Sequence, residues 1–84
     1  MSATLLIVDD DPVQRRLLEA MARRFGYTAL VADSGEAALA LLGDTARCGI
    51  DLILLDLVMP DLDGFAVLER MQRAGIAIPV IVQT

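Results

Sequence analysis

Residues 50–56 read IDLILLD, the most continuously apolar run of the chain, ending on a lone aspartate. A strand that is apolar on both faces suits the interior of a parallel sheet better than a half-exposed antiparallel one. Outward from it, apolar runs alternate with amphipathic stretches. TLLIV at 4–8 and YTALVA at 27–32 precede it as strand candidates, and IPVIVQT at 78–84 follows. Between the first two runs, Val13, Leu17, Met21 and Phe25 recur every four residues, with Leu18 and Ala22 beside them. Arg15, Arg16, Arg23 and Arg24 take the other face, so the pattern predicts an amphipathic helix. Asp11 is its expected N-cap, Pro12 its first residue and Gly26 its stop. Ser34 is positioned to cap a second helix, with Glu36 in its first turn; Ala38, Leu41 and Leu42 form its buried stripe, and Gly43 ends it. Phe65, Leu68 and Met71 mark a third helix, ended by Gly75.

The order β-α-β-α-β-α-β implies a doubly wound parallel α/β sheet with right-handed crossovers and helices on both faces. The 84 residues make at most one small domain, spanning residues 1–84, without internal repeat or low-complexity tract.

Composition excludes several kinds of chemistry. The net charge is −5, all seven basic residues are arginine, and the chain has neither lysine nor histidine. An acidic domain offers nucleic acid no electrostatic footprint. The missing types exclude a phosphate-loop lysine, a Schiff base, a Ser-His-Asp triad and a histidine metal site. Cys48 is the lone cysteine, so no internal disulfide forms, which fits a reducing cytoplasm. No apolar run reaches the roughly 18 residues that span a bilayer, and no signal peptide is visible at the N-terminus. The chain is 56% hydrophobic with a mean hydropathy of +0.60. That exceeds what a core of this size is expected to cover and points to a truncated domain, a partner surface, or both.

Parallel strands place all their C-terminal ends on one sheet edge, where ligand sites of open α/β sheets form. Asp9 and Asp10 end the first strand, Asp56 the third and Thr84 the fourth. In a sheet of order 2-1-3-4 the first and third strands are neighbours, so three carboxylates and a hydroxyl are expected in one crevice. Two like charges about 4 Å apart repel by about 4 kcal/mol at an effective dielectric of about 20. A divalent cation would offset that, and few carboxylates with several waters suit Mg²⁺. The plainer alternatives are that Asp11 is a helix cap, that Asp9 and Asp10 are solvated loop acids, and that Thr84 is an ordinary strand residue. Under the cation reading, Asp56 sits singly and is the better candidate to attack a phosphoryl group, while Asp9 and Asp10 form a pair suited to holding metal.

The stretches LLIVDDD, LILLDLVMPDLDGF and IPVIVQT resemble the motifs of bacterial response-regulator receiver domains, the phospho-acceptor modules of two-component signalling. The resemblance runs through the whole chain, and D-x-x-M-P-x-x-D-G is its most specific part. It implies a flavodoxin-like fold in which Asp56 takes a phosphoryl group from a sensor histidine kinase. Asp10 would be the direct Mg²⁺ ligand, with Asp9 contributing through water, Asp56 also in the metal set and the Val58 carbonyl a further ligand. Met59, Pro60, Asp63 and Gly64 would shape the loop after the central strand, and Thr84 would be the switch hydroxyl. PVIVQT is similar to receivers attached to enhancer-binding transcription activators, which implies an output domain outside this chain. Receivers of this family continue through a fifth strand that carries a lysine and through two further helices. Here no lysine is present, so the chain reads as a receiver cut after its fourth strand, with that strand's edge open to self-association. The competing expectation is a phosphorylation-incompetent fragment or pseudo-receiver that acts as a protein–protein interaction module.

Other readings fit less well. A dinucleotide site needs G-x-G-x-x-G where this chain has DDDPVQ. An EF-hand loop with Gly64 at its sixth position would put Met59 and Arg70 where oxygen ligands are required. A phosphatase of the haloacid dehalogenase type needs an acid two residues after Asp56, where Val58 stands.

Overall fold

The computed structural model describes residues 3–43, 49–57 and 64–83. Its elements are β1 (Thr4–Val8), α1 (Pro12–Arg24), β2 (Thr28–Ala32), α2 (Gly35–Leu42), β3 (Leu52–Asp56), α3 (Gly64–Arg73) and β4 (Val80–Gln83). The four strands are parallel and lie in the order β2-β1-β3-β4. Both internal strands carry apolar runs, as a doubly wound sheet requires. β1 is the more uniformly buried of the two, with Leu5, Leu6, Ile7 and Val8 all enclosed. β3 alternates: Ile53 and Leu55 are fully buried, whereas Leu52, Leu54 and Asp56 are half-buried. The sheet is therefore packed more tightly on one face than on the other.

Local chemistry fixes the element ends. The Asp11 carboxylate accepts from the amides of Val13 at 2.9 Å and Gln14 at 3.4 Å, with Pro12 opening the helix behind it. This side chain satisfies amides that have no partner within the first helical turn. Arg23 and Arg24 complement the negative end of the helix, and Gly26, at φ +88°, turns the chain into β2. Ser34 caps α2 through a 3.1 Å bond from the Ala37 amide.

On one face of the sheet, α2 and α3 close over Leu6, Val8, Ile53 and Leu55, with Ala38, Leu42, Val67 and Met71 as the helical contribution. On the other, α1 sets Ala22 and Leu18 against Leu5, Ile7 and Ala29.

Two helical stripes sit differently from the sequence expectation. Val13, Leu17, Met21 and Phe25 are 48–76% exposed, while Ala22 is buried and Leu18 half-buried. Leu18 and Ala22 form their own four-residue row, about 100° further round the helix than Leu17 and Met21. The small Ala22 side chain packs in one buried cluster with Leu5, Ile7 and Ala29, so this row faces the sheet. In α3, Phe65 is 66% exposed, and Val67, with Met71, takes the buried position. The expected boundaries of the second, third and fourth strands shorten by one or two residues at their N-terminal ends, and Gln83 is the last strand residue described.

Candidate functional site: an acidic crevice at the sheet edge

Val8 pairs with Leu55, so the residues after them, Asp9 and Asp56, lie side by side at the C-terminal edge of the sheet. Carboxylate oxygens of Asp9, Asp10 and Asp56 all lie within 4.8 Å of one another. At that spacing each ionised pair repels by roughly 3–4 kcal/mol at an effective dielectric of about 20. Asp10 is exposed and Asp56 half-buried, whereas Asp9 is only 2% exposed.

Asp9 is held at three points. Its amide donates to the Ala32 carbonyl at 3.1 Å, extending the β1–β2 ladder by one residue. Its Oδ1 accepts from the Asp11 amide at 2.9 Å. Its main-chain carbonyl accepts from Arg15 Nη1 at 2.9 Å. Its Oδ2 is buried with no hydrogen-bond partner among the described residues. Burial pushes the Asp9 carboxyl above the ordinary carboxylate value of 3.8; the Asp11 amide opposes this, and the charges of Asp56, Asp10 and Asp11 add to it.

A buried, unpartnered carboxylate oxygen beside two further acids is costly alone and is a natural cation ligand. The donor set is entirely hard oxygen, which suits Mg²⁺, Ca²⁺ or Mn²⁺ rather than a soft metal. The residues present fit a divalent ion.

The glycine after the β3–α3 loop has a steric reason. The Gly64 amide donates to the Leu57 carbonyl at 3.2 Å. A Cβ on Gly64 would lie 2.6 Å from Leu57 Cα and 2.7 Å from the Asp56 carbonyl oxygen. Only glycine lets α3 start this close to the strand end that carries Asp56.

Of the residues expected at the site, Asp9, Asp10 and Asp56 come together. Val58 and Thr84 lie outside the described residues, as do Met59, Pro60, Asp63 and Cys48. β4 nevertheless ends beside the crevice, since Gln83 pairs with Asp56 and its carbonyl accepts from the Leu57 amide at 3.0 Å. Two contacts were not anticipated from sequence. Gln14 Nε2 donates to Gln83 Oε1 at 3.2 Å, tying the first turn of α1 to the end of β4. Arg15, expected on the solvent face, is half-buried and grips Asp9. A four-residue hydrophobic period assigns every arginine to the outer face and carries no signal for such a contact.

A parallel sheet of order 2-1-3-4 with three acids at adjacent strand ends defines a flavodoxin-like α/β domain built around an acidic crevice. The family model described as response regulator receiver domain matches residues 5–84, and the chain belongs to that family. The transcriptional activator protein PfeR of Pseudomonas aeruginosa is 41% identical over 83 residues, covering 99% of this chain and 26% of PfeR. The sensor histidine kinase RcsC of Salmonella typhimurium is 38% identical over 77 residues, covering 92% of this chain and 8% of RcsC. The chain thus spans about a quarter or less of these relatives. Among solved structures, response regulator TrrA of Thermotoga maritima, in complex with Mg²⁺-BeF, superposes with a TM-score of 0.85 at 30% identity, covering 95% of this chain and 67% of TrrA. No helix among the described residues is long and apolar enough to cross a membrane.

Proposed function

We propose that residues 1–84 are the N-terminal portion of a phospho-acceptor receiver domain in which Asp56 takes a phosphoryl group from a sensor histidine kinase. The observation that carries this reading is the convergence of Asp9, Asp10 and Asp56, with one buried oxygen left unpartnered, in a chain of the receiver family. An Asp56 carboxylate oxygen attacks phosphorus, the bond to the donor imidazole nitrogen breaks, and an acyl phosphate forms on Asp56. A bound Mg²⁺ supplies neutralisation of the charge on the transferring oxygens. Asp10 and Asp56 would hold it, with Asp9 acting through water and the Val58 carbonyl as a further ligand. The Thr84 hydroxyl donates to the phosphoryl group and serves as the switch. The domain is an acceptor rather than an enzyme with a separate substrate, and it works in the cytoplasm.

PfeR and RcsC carry their matching segments in an activator and in a kinase, respectively. That supports an output outside this chain, reached by covalent connection, with a DNA-binding activator the favoured form. Ile81 and Val82 on β4 are 50% and 44% exposed, which supports self-association through that strand.

The test has two arms. Mg²⁺ adds RT ln(1 + [L]/Kd) to the unfolding free energy and so raises the melting temperature, and Asp10→Asn abolishes the gain. Incubation with acetyl phosphate and Mg²⁺ adds one phosphoryl mass at Asp56, and Asp56→Asn removes it. Mg²⁺ binding with no phosphoryl mass in the full-length protein would overturn acceptance and favour the interaction-module reading.

A further inference from the structure

We propose that Arg15 is a positioning residue for the cation site, setting Asp9 in place from behind through its main-chain carbonyl. The inference rests on the reading of the crevice as a Mg²⁺ site and extends it to a residue outside the acid cluster.

Arg15 is half-buried, while Arg16, Arg23 and Arg24 on the same helix are exposed. Its guanidinium bonds, at 2.9 Å, the main-chain carbonyl of Asp9, the residue that contributes a carboxylate to the acid cluster. The other polar groups of Asp9 are also accounted for. The amide is held by Ala32 and Oδ1 by the Asp11 amide, which leaves Oδ2 as the one oxygen free to serve a cation. A charge-assisted bond from a rigid, multi-donor group fixes the peptide that joins Asp9 to Asp10. Both acids therefore enter the crevice from one immobilised peptide, anchored on the first turns of α1.

The sign of the effect separates positioning from simple charge. A fixed positive charge near a cation site opposes cation binding, so its removal alone would tighten Mg²⁺. Loss of positioning loosens Mg²⁺ instead. The experiment is calorimetric titration of MgCl₂ into wild type, Arg15→Gln, Arg15→Lys and Arg16→Gln, with melting in EDTA as the folding control. Arg15→Gln weakens Mg²⁺ binding roughly three- to tenfold, the worth of one hydrogen bond. Arg15→Lys keeps the charge and a single donor and falls between Arg15→Gln and wild type. Arg16→Gln, which removes the same charge from an exposed position, leaves affinity unchanged or slightly tighter. Equal or tighter binding by folded Arg15→Gln overturns the inference. If Arg15→Gln does not fold, Arg15→Lys decides: weaker binding than wild type supports the inference, and equal or tighter binding overturns it. A wild-type protein that binds no Mg²⁺ overturns the metal reading and this inference together. Tight binding by both wild type and Arg15→Gln overturns the inference alone.

Discussion

On the α2–α3 face of the sheet, Leu6, Val8, Ile53, Leu55 and Val67 are at most 1% exposed. On the α1 face, Leu5 and Ile7 are covered, but Leu52 and Leu54 are only half-buried and Ile81 is half-exposed. The first face holds the fold together by close packing. The second leaves an apolar stripe bare along α1 yet carries more of the site's polar scaffolding, since Asp11, Gln14 and Arg15 all lie on or at the start of α1. Stability and site architecture are thus divided between the two faces.

The largest effect that would break this comparison is a core truncation. Ile53→Ala on the closed face costs about 2–5 kcal/mol, and Leu54→Ala, one residue along on the other face, costs clearly less. Urea denaturation of the two variants decides, and equal losses would mean that the faces are packed alike. Gly64→Ala comes next. Its Cβ would collide with the backbone of residues 56 and 57, at a cost of about 1–3 kcal/mol. Because the collision displaces the strand end that bears Asp56, Mg²⁺ affinity measured on the same variant falls as well.

A smaller effect of opposite sign is expected at Asp9. Its folded-state pKa is raised, so the fold binds the proton more tightly than the unfolded chain does. The resulting stabilisation is present below 3.8 and is lost as pH rises through the folded-state value. In EDTA, Asp9→Asn removes that downward slope and raises the urea midpoint at pH 7. A pH titration of the midpoint that is unchanged by the substitution would contradict the burial of this charge. The smallest effect belongs to the bare stripe. Leu17→Ser, at a position 59% exposed, changes stability by no more than about 0.5 kcal/mol. A larger loss would show that the α1 face is covered after all, and sedimentation of the same variant reports whether the stripe contributes to association.

The strands and their parallel direction were legible from the sequence, because apolar runs, caps and acids at run ends are local signals; the order β2-β1-β3-β4, and with it the convergence of Asp9, Asp10 and Asp56, rested on the doubly wound sheet that the receiver resemblance implies. The caps Asp11 and Ser34 and the turn at Gly26 were legible for the same reason. The helical phase was not. Two rows on α1 satisfy the same spacing, and only packing against Leu5, Ile7 and Ala29 distinguishes Ala22 from Met21. Phe65 misled similarly, since size suggested burial where Val67 fits. The grip of Arg15 on Asp9 depends on how α1 leaves β1, a tertiary fact that no spacing encodes.

The pairing of β1 with β3 has a kinetic consequence. Asp9 and Asp56 meet only where strands distant in sequence pair, with β2 and α2 lying between them in the chain. Contacts of such long separation form late compared with local helices. A nascent or misfolded chain that has its helices but lacks this pairing presents scattered acids, with no shared pocket for a cation to bridge. In the proposed reading of the crevice as a cation site, ion uptake therefore doubles as a certificate of completed topology.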